Sequence, residues 1–217
     1  MNRKSDPLEM NLIARLAFAP IYPYLARQIT DKFGVTEGIC VDLGSGPASL
    51  AIAMARLTDL TVYSLDVQPE MSDVARQNIA EAGFASRIRA VVANVRRLPF
   101  LDDTVDLIVS RGSIFFWEDR VTAFREIYRI LRPGGVAYCG GSLGDDTIRA
   151  QVVAAFDTHA ELQPYKDYWQ RMVSRNMNKL TLQTMLEELG EAGVPGTVVE
   201  ENGGIWVQII KLNDEAS

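Results

Sequence analysis

The feature that most constrains this 217-residue chain is a short apolar run, Gly38-Ile39-Cys40-Val41-Asp42-Leu43. It ends in Gly44-Ser45-Gly46-Pro47-Ala48 and leads straight into the alanine-rich Ser49-Leu50-Ala51-Ile52-Ala53-Met54-Ala55-Arg56. A brief apolar run, a glycine turn and a helix-favouring stretch read as strand, turn, helix. The cycle then repeats. Leu60–Asp66 reads as a second strand, followed by a helix over Pro69–Ala82 that Gly83 ends. Ile88–Ala93 and Val105–Ser110 are the third and fourth strands. Arg120–Leu131 is an amphipathic helix closed by the turn Arg132-Pro133-Gly134-Gly135, and Val136–Gly140 is the fifth strand. Strands separated by helices of this length imply a parallel sheet with helices on both faces, joined by right-handed crossovers.

The two ends of the chain depart from this alternation. Leu8, Leu12 and Leu16, then Leu25, Ile29 and Phe33, fall at helical spacing, so two short helices meeting at Pro20–Pro23 and stopping at Gly34 are expected. Residues 145–192 form a long helical stretch carrying Tyr165, Tyr168 and Trp169. Thr197–Glu201 and Ile205–Ile210 then flank Asn202-Gly203-Gly204, a hairpin signal with glycines where positive φ is needed. The sheet therefore ends in an antiparallel pair.

The composition supports one globular domain, with 47% hydrophobic and 23% charged residues. A net charge of −6 repels a phosphate backbone or an anionic membrane, and Arg96-Arg97 and Arg129/Arg132 are too sparse to make a basic stripe. Leu12–Ala26 is too short and too interrupted by Pro20 and Pro23 for a membrane span, and no targeting segment is read. Cys40 and Cys139 sit in apolar stretches as buried free thiols do, which favours the cytoplasm.

A glycine turn after the first strand places backbone N–H groups at the edge where open α/β sheets bind ligands, but several cofactor classes use one. From Gly44 the count gives Gly46 and then Ser49, so the third glycine of a dinucleotide fingerprint is missing; no lysine follows, as a phosphate loop requires. Instead Asp42 stands two residues before the first glycine, with Ala48 after the second. This turn resembles that of S-adenosylmethionine-dependent methyltransferases of class I. So do Leu98–Asp106 and Ile130–Gly135, and the matches together cover roughly residues 35–142. Phe18–Pro23 and Ser110–Asp119 resemble a little-characterised branch of small methyltransferases near the quinone-biosynthesis type.

The resemblance implies an α/β, Rossmann-like three-layer sandwich, with a mainly parallel seven-stranded sheet and a C-terminal antiparallel hairpin. It divides the chain into an N-terminal helical lid (1–34), a cofactor-binding core (35–142), a helical insertion (143–192) and the hairpin (193–212). It also implies a cofactor site. Gly44, Ser45 and Gly46 form the turn, and Asp42 helps to place a ligand that carries an ammonium and a sulfonium but no phosphate; capping of the next helix is the less favoured role. Asp66, with Val67 beside it, ends the second strand and accepts from the ribose hydroxyls. Met71 packs against adenine, and Asn94 and Val95 meet the adenine amine and ring. The family more often has Asp where Asn94 stands. Arg111 anchors the cofactor carboxylate or an anionic substrate. Tyr22 on the lid faces the cofactor, while Tyr24, Phe116 and Trp117 are candidate substrate contacts.

Methyl transfer from a sulfonium is an in-line displacement, so holding the partners close, aligned and dry is the main task. No residue is singled out as a base, and His159 reads as a packing or surface residue. Ser110-Arg111-Gly112-Ser113 lacks the Asn/Asp-Pro-Pro-aromatic motif of enzymes that methylate nucleic-acid bases, which disfavours nucleic acid. It also lacks the Asp that holds metal in catechol methyltransferases, so no metal is expected. The expected partner is a small-molecule methyl acceptor with a carbon, sulfur or soft nucleophile, a quinone-like compound among them. A protein that binds or senses S-adenosylmethionine without turnover is the alternative, and a nicotinamide-dependent oxidoreductase is disfavoured by Asp42 and Ser49.

Overall fold

The computed structural model describes residues 6–177 and 181–213. Residues 1–5 of the expected lid, 178–180 of the expected insertion and 214–217 lie outside the described residues. Local signals set the first two helices. Asp6 caps α1 (Pro7–Leu16) by accepting from the N–H groups of Leu8 and Glu9, with Pro7 in the first turn where its missing N–H costs nothing. The chain breaks before α2 (Ile21–Phe33), which Gly34 closes at φ 68°.

The sheet contains β1 (Ile39–Leu43), β2 (Thr61–Asp66), β3 (Ile88–Val92), β4 (Val105–Arg111), β5 (Leu131–Gly141), β6 (Gly196–Glu201) and β7 (Gly204–Ile210), in the spatial order β3-β2-β1-β4-β5-β7-β6. The first five are parallel; β7 runs antiparallel between β5 and β6. The connecting helices are α3 (Ser49–Leu57), α4 (Pro69–Glu81) and α5 (Arg120–Ile130). Then α6 (Asp146–Thr158), a 3₁₀ segment, α7 (Lys166–Met177) and α8 (Leu182–Ala192) lead to the hairpin.

Alternation along the strands builds two cores. Cys40, Val62, Leu107, Val109, Tyr138 and Trp206 face α2, α3 and α4, where they meet Leu25, Ile29, Met54 and Ile79. Their neighbours Val41, Leu65, Ile108, Ala137 and Val207 face α5 and α8 and meet Phe124, Ile127, Met185 and Leu189. A third cluster joins Ile13, Phe18 and Ile21 to Val152, Phe156 and Trp169, packing α6 and α7 over the N-terminal helices.

Two local readings are corrected by the structure. Arg132-Pro133-Gly134-Gly135 is not a free turn closing the helix: α5 stops at Ile130, and these residues bulge within β5, whose register jumps from Val105↔Leu131 to Leu107↔Val136. The bulge stays paired on its other side, where Gly134 donates to the Lys211 carbonyl and Lys211 to that of Gly135. In the β6–β7 hairpin the positive φ values fall on Asn202 (51°) and Gly203 (66°), while Gly204 already belongs to β7. That is the Asn-Gly pattern that matches strand twist.

The topology fixes where a ligand can sit. α3, after β1, packs on one face and α5, after β4, on the other, so the carboxyl ends of β1 and β4 flank the topological switch point. Pairing between these strands ends at Asp42↔Val109, and a crevice opens beyond.

Candidate active site

The glycine turn is pinned on both sides of this crevice. Toward β2, the Ser45 N–H donates to the Leu65 carbonyl at 2.8 Å and the Ser45 and Ser64 hydroxyls meet at 2.6 Å. Toward β4, the Ser113 hydroxyl donates to the Leu43 carbonyl at 2.8 Å. Gly44, Gly46 and Ala48 all have positive φ, at 62°, 56° and 67°. At Gly44 there is a further demand, because a Cβ there would run into the Ser113 side chain.

Asp42 is 1% exposed and accepts from the Ala51 N–H at 3.1 Å in the first turn of α3. The helix-capping role, less favoured from the sequence, is therefore real. Burial, with the Asp66 charge nearby, pushes its carboxyl up to about 7. Asp66 lies at the end of β2, and its two oxygens accept from Gln68 N–H at 3.0 Å and Gly46 N–H at 3.1 Å. Each oxygen keeps a lone pair for a further donor. Burial also raises this carboxyl, against the pull of those backbone bonds.

Arg111 stands at the end of β4. Its guanidinium donates to the Ser142 carbonyl at 3.3 and 3.1 Å and lies 4.5 Å from the Phe18 ring and 6.0 Å from that of Tyr22. Burial lowers its pKa, and among the described residues only Tyr22 works against that; no carboxylate does. Tyr22 faces Ser49 and Arg111, and burial raises its phenol. Among the described residues, the carboxyl ends of β1 and β2 thus carry two carboxylates and that of the neighbouring β4 a guanidinium without an acidic partner.

The remaining sequence-predicted residues divide. Val67 is exposed and Met71 is buried on α4, while Val95 packs beside the α5-side core. The Asn94 carboxamide oxygen already accepts from the backbone and side chain of Arg96, at 2.9 and 3.4 Å. Phe116 is exposed. Trp117 turns inward, its ring edge-on to Phe124 and its N–H given to Ser113 at 3.1 Å. Tyr24 faces Asp145 and Glu201, away from the Tyr22–Arg111 pair. His159 ends α6. Sequence reading missed Phe18, Ser49, Ser113 and Ser142 as members of the site. For Ser113 there was a signal: Gly44 needs a neighbour that forbids a side chain, and the loop after β4 is the one that topology brings there.

A groove of about 520 Å³ runs between α1, α2, α3 and α4 and meets the crevice wall at Tyr22 and Ser49. Both thiols, Cys40 and Cys139, are buried and unpaired, and burial pushes them above the usual range. Among the described residues no helix is long and apolar enough to cross a membrane.

Comparison with known proteins decides the family. A family described as a methyltransferase domain matches residues 41–139, the stretch from the glycine turn to β5. A solved structure from Methanococcus maripaludis, assigned to the S-adenosyl-L-methionine-dependent methyltransferases, superposes with a TM-score of 0.87. It is 37% identical, with all of both chains covered. This chain belongs to that family. Its fold is the family's Rossmann-like sandwich, its cofactor is S-adenosylmethionine, and its curated relatives include the quinone-biosynthesis type. The ubiquinone/menaquinone biosynthesis C-methyltransferase UbiE of Marinomonas sp. is 33% identical over 112 residues, 50% of this chain and 45% of that protein. Methyltransferase GfsG of Streptomyces halstedii is 33% identical over 51% of this chain and 40% of its own length. The chain thus matches less than half the length of these curated relatives, over about half of its own.

The site fits this methyltransferase cofactor. A ligand with a cationic sulfur and ammonium, a carboxylate and a ribose diol needs buried acids near its cations, an acid for its diol and a cation for its carboxylate. Asp42, Asp66 and Arg111 are groups of those kinds.

Proposed function

We propose that this methyltransferase transfers a methyl group to a small-molecule acceptor, with the cofactor held by Asp42, Gly44, Ser45, Gly46, Asp66, Val67, Met71, Asn94 and Val95, and by Tyr22 and Arg111. The observation that carries the reading is the gathering of Asp42, Asp66 and Arg111 near the carboxyl ends of the neighbouring strands β1, β2 and β4. Bound there, S-adenosylmethionine would supply an electrophilic methyl group, with S-adenosylhomocysteine as the group displaced.

The chain's own residues provide placement. Asp66 offers its free lone pairs to the ribose, and Asp42, ionised by a nearby cation, compensates the positive charge without contacting solvent. Arg111 has guanidinium donors beyond those given to Ser142 and takes the carboxylate by charge-assisted bonds. The aromatic cluster around Phe18 excludes water from this end of the crevice, which strengthens each of these interactions. The likeness of the core to a quinone-biosynthesis C-methyltransferase supports a small, carbon-nucleophilic acceptor. Phe116, exposed at the crevice rim, is its proposed contact.

Incubating purified protein with methyl-labelled S-adenosylmethionine and a low-mass cell extract tests this. Label is expected in a small-molecule fraction and is lost with Arg111→Met. Retained binding of S-adenosylhomocysteine with no transfer to any low-mass fraction would sink the proposal in favour of a cofactor-binding protein.

A further inference from the structure

Ser113 is assigned no contact with the proposed ligand, yet it ties the glycine turn after β1 to the loop after β4. A serine hydroxyl has one proton to give and two lone pairs to receive with. The proton of Ser113 goes to the Leu43 carbonyl at 2.8 Å. Ser110, at 2.6 Å, and the Trp117 indole N–H, at 3.1 Å, are therefore both donors to Ser113. All three of its bonding positions are used.

The position matters as much as the bonds. The β1–β4 ladder ends at Asp42↔Val109, so the Leu43 carbonyl has no β4 backbone partner and Ser113 supplies one from the loop beyond. The next residue, Gly44, packs its bare Cα against the Ser113 side chain, with no room for a Cβ between them. Ser113 lies two residues after Arg111 and four before Trp117, and Asp42 lies two before Gly44. The hydroxyl thus fixes the separation of the Asp42–glycine-turn wall from the Arg111–Phe116 wall.

We infer that Ser113 is a positioning residue for cofactor binding: through Leu43, Gly44 and Trp117 it sets the width of the crevice in which the two walls engage one ligand. The inference rests on the proposed cofactor site and goes beyond it, since Ser113 is assigned no contact with the ligand.

The test is calorimetric titration with S-adenosylhomocysteine, paired with thermal melting of each free variant. Ser113→Ala is expected to raise Kd roughly tenfold while the fold is kept, and Ser113→Thr, which retains the hydroxyl, to recover most of the affinity. Gly44→Ala should also bind weakly, because its methyl group meets Ser113. The double variant Gly44→Ala/Ser113→Gly should bind more tightly than Gly44→Ala, although Ser113→Gly alone binds more weakly than wild type. General loss of stability does not produce that reversal. A Kd for Ser113→Ala within about twofold of wild type, with only the melting temperature lowered, overturns the inference and leaves the cofactor site standing. If Ser113→Ala does not fold, Ser113→Cys decides: a Kd within about twofold of wild type, without the hydroxyl's short bond to Leu43, overturns it. Wild-type protein that binds no S-adenosylhomocysteine overturns the proposed function and this inference together.

Discussion

At the scale of single residues, the two carboxylates of the site make opposite demands on the protein. Asp42 in the folded chain titrates near 7, well above its unfolded value of 3.8, because burial penalises the charge. Between those values the folded state holds a proton that the unfolded state has lost, so this contribution to stability is full below about pH 4 and is lost as pH rises through 7. Each pKa unit corresponds to 1.36 kcal/mol, so the loss approaches roughly 4 kcal/mol. Urea titrations of the free protein should show wild type losing stability between about pH 4 and pH 7. Asp42→Asn keeps the oxygen that accepts from Ala51 and should give a flatter profile; equal slopes would show that Asp42 is not held protonated. Asp66 has the complementary role, as its backbone bonds orient it and work against the upward push of burial. Asp66→Ala should weaken S-adenosylhomocysteine binding by about 1–3 kcal/mol through lost charge-assisted bonds. An unchanged Kd would remove Asp66 from the site.

At the scale of elements, what could be read from the sequence and what could not follow from range. β1 to β4 and their helices were legible because each is signalled within its own residues: apolar run, glycine or proline punctuation, helical period. Asp42 and Asp66 were legible for the same reason, since they sit at fixed offsets from a turn. The wall opposite was less so. Arg111 meets Phe18, Tyr22 and the Ser142 carbonyl, and no local pattern brings residues that far apart together. Tyr22 and Tyr24 were both offered to the site, but two residues is about 200° around a helix, so α2 can turn only one of them inward. The bulge in β5 escaped because Arg-Pro-Gly-Gly reads as a turn in isolation, and only the arrival of Lys211 keeps it paired. Gly135 is the residue that permits this, since a Cβ there would lie 2.8 Å from the Arg132 carbonyl oxygen and 2.9 Å from that of Val105. Gly135→Ala should therefore cost about 1–3 kcal/mol in urea denaturation by forcing β4 and β5 apart. A cost near zero would mean that the bulge relaxes without disturbing the ladder.

At the scale of the whole molecule, the proposed ligand contacts come from the ends of β1, β2, β3 and β4 and from α2 and α4, so one cofactor joins both halves of the sheet to the N-terminal helices. A ligand held by all of them binds the native state alone and stabilises it by mass action, about 2.7 kcal/mol at one hundred times Kd. For a chain of this length that corresponds to a rise in Tm of roughly 5–10 °C. S-adenosylhomocysteine should produce this shift and NAD at the same concentration should not, because Asp42 and Asp66 repel a pyrophosphate where they tolerate an ammonium. S-adenosylmethionine carries a further consequence of the raised Asp42 carboxyl. Its added cation favours the ionised form, so binding expels a proton near neutral pH and affinity rises from pH 6 to pH 8, while the stability of the free protein falls over the same interval. The cofactor-induced rise in Tm should accordingly be larger at pH 8 than at pH 6, and Asp42→Asn should abolish the difference. Calorimetry in buffers of different ionisation enthalpy would count the released proton directly. A proton count of zero at pH 7 would show that the buried acid of β1 does not answer the cofactor's charge.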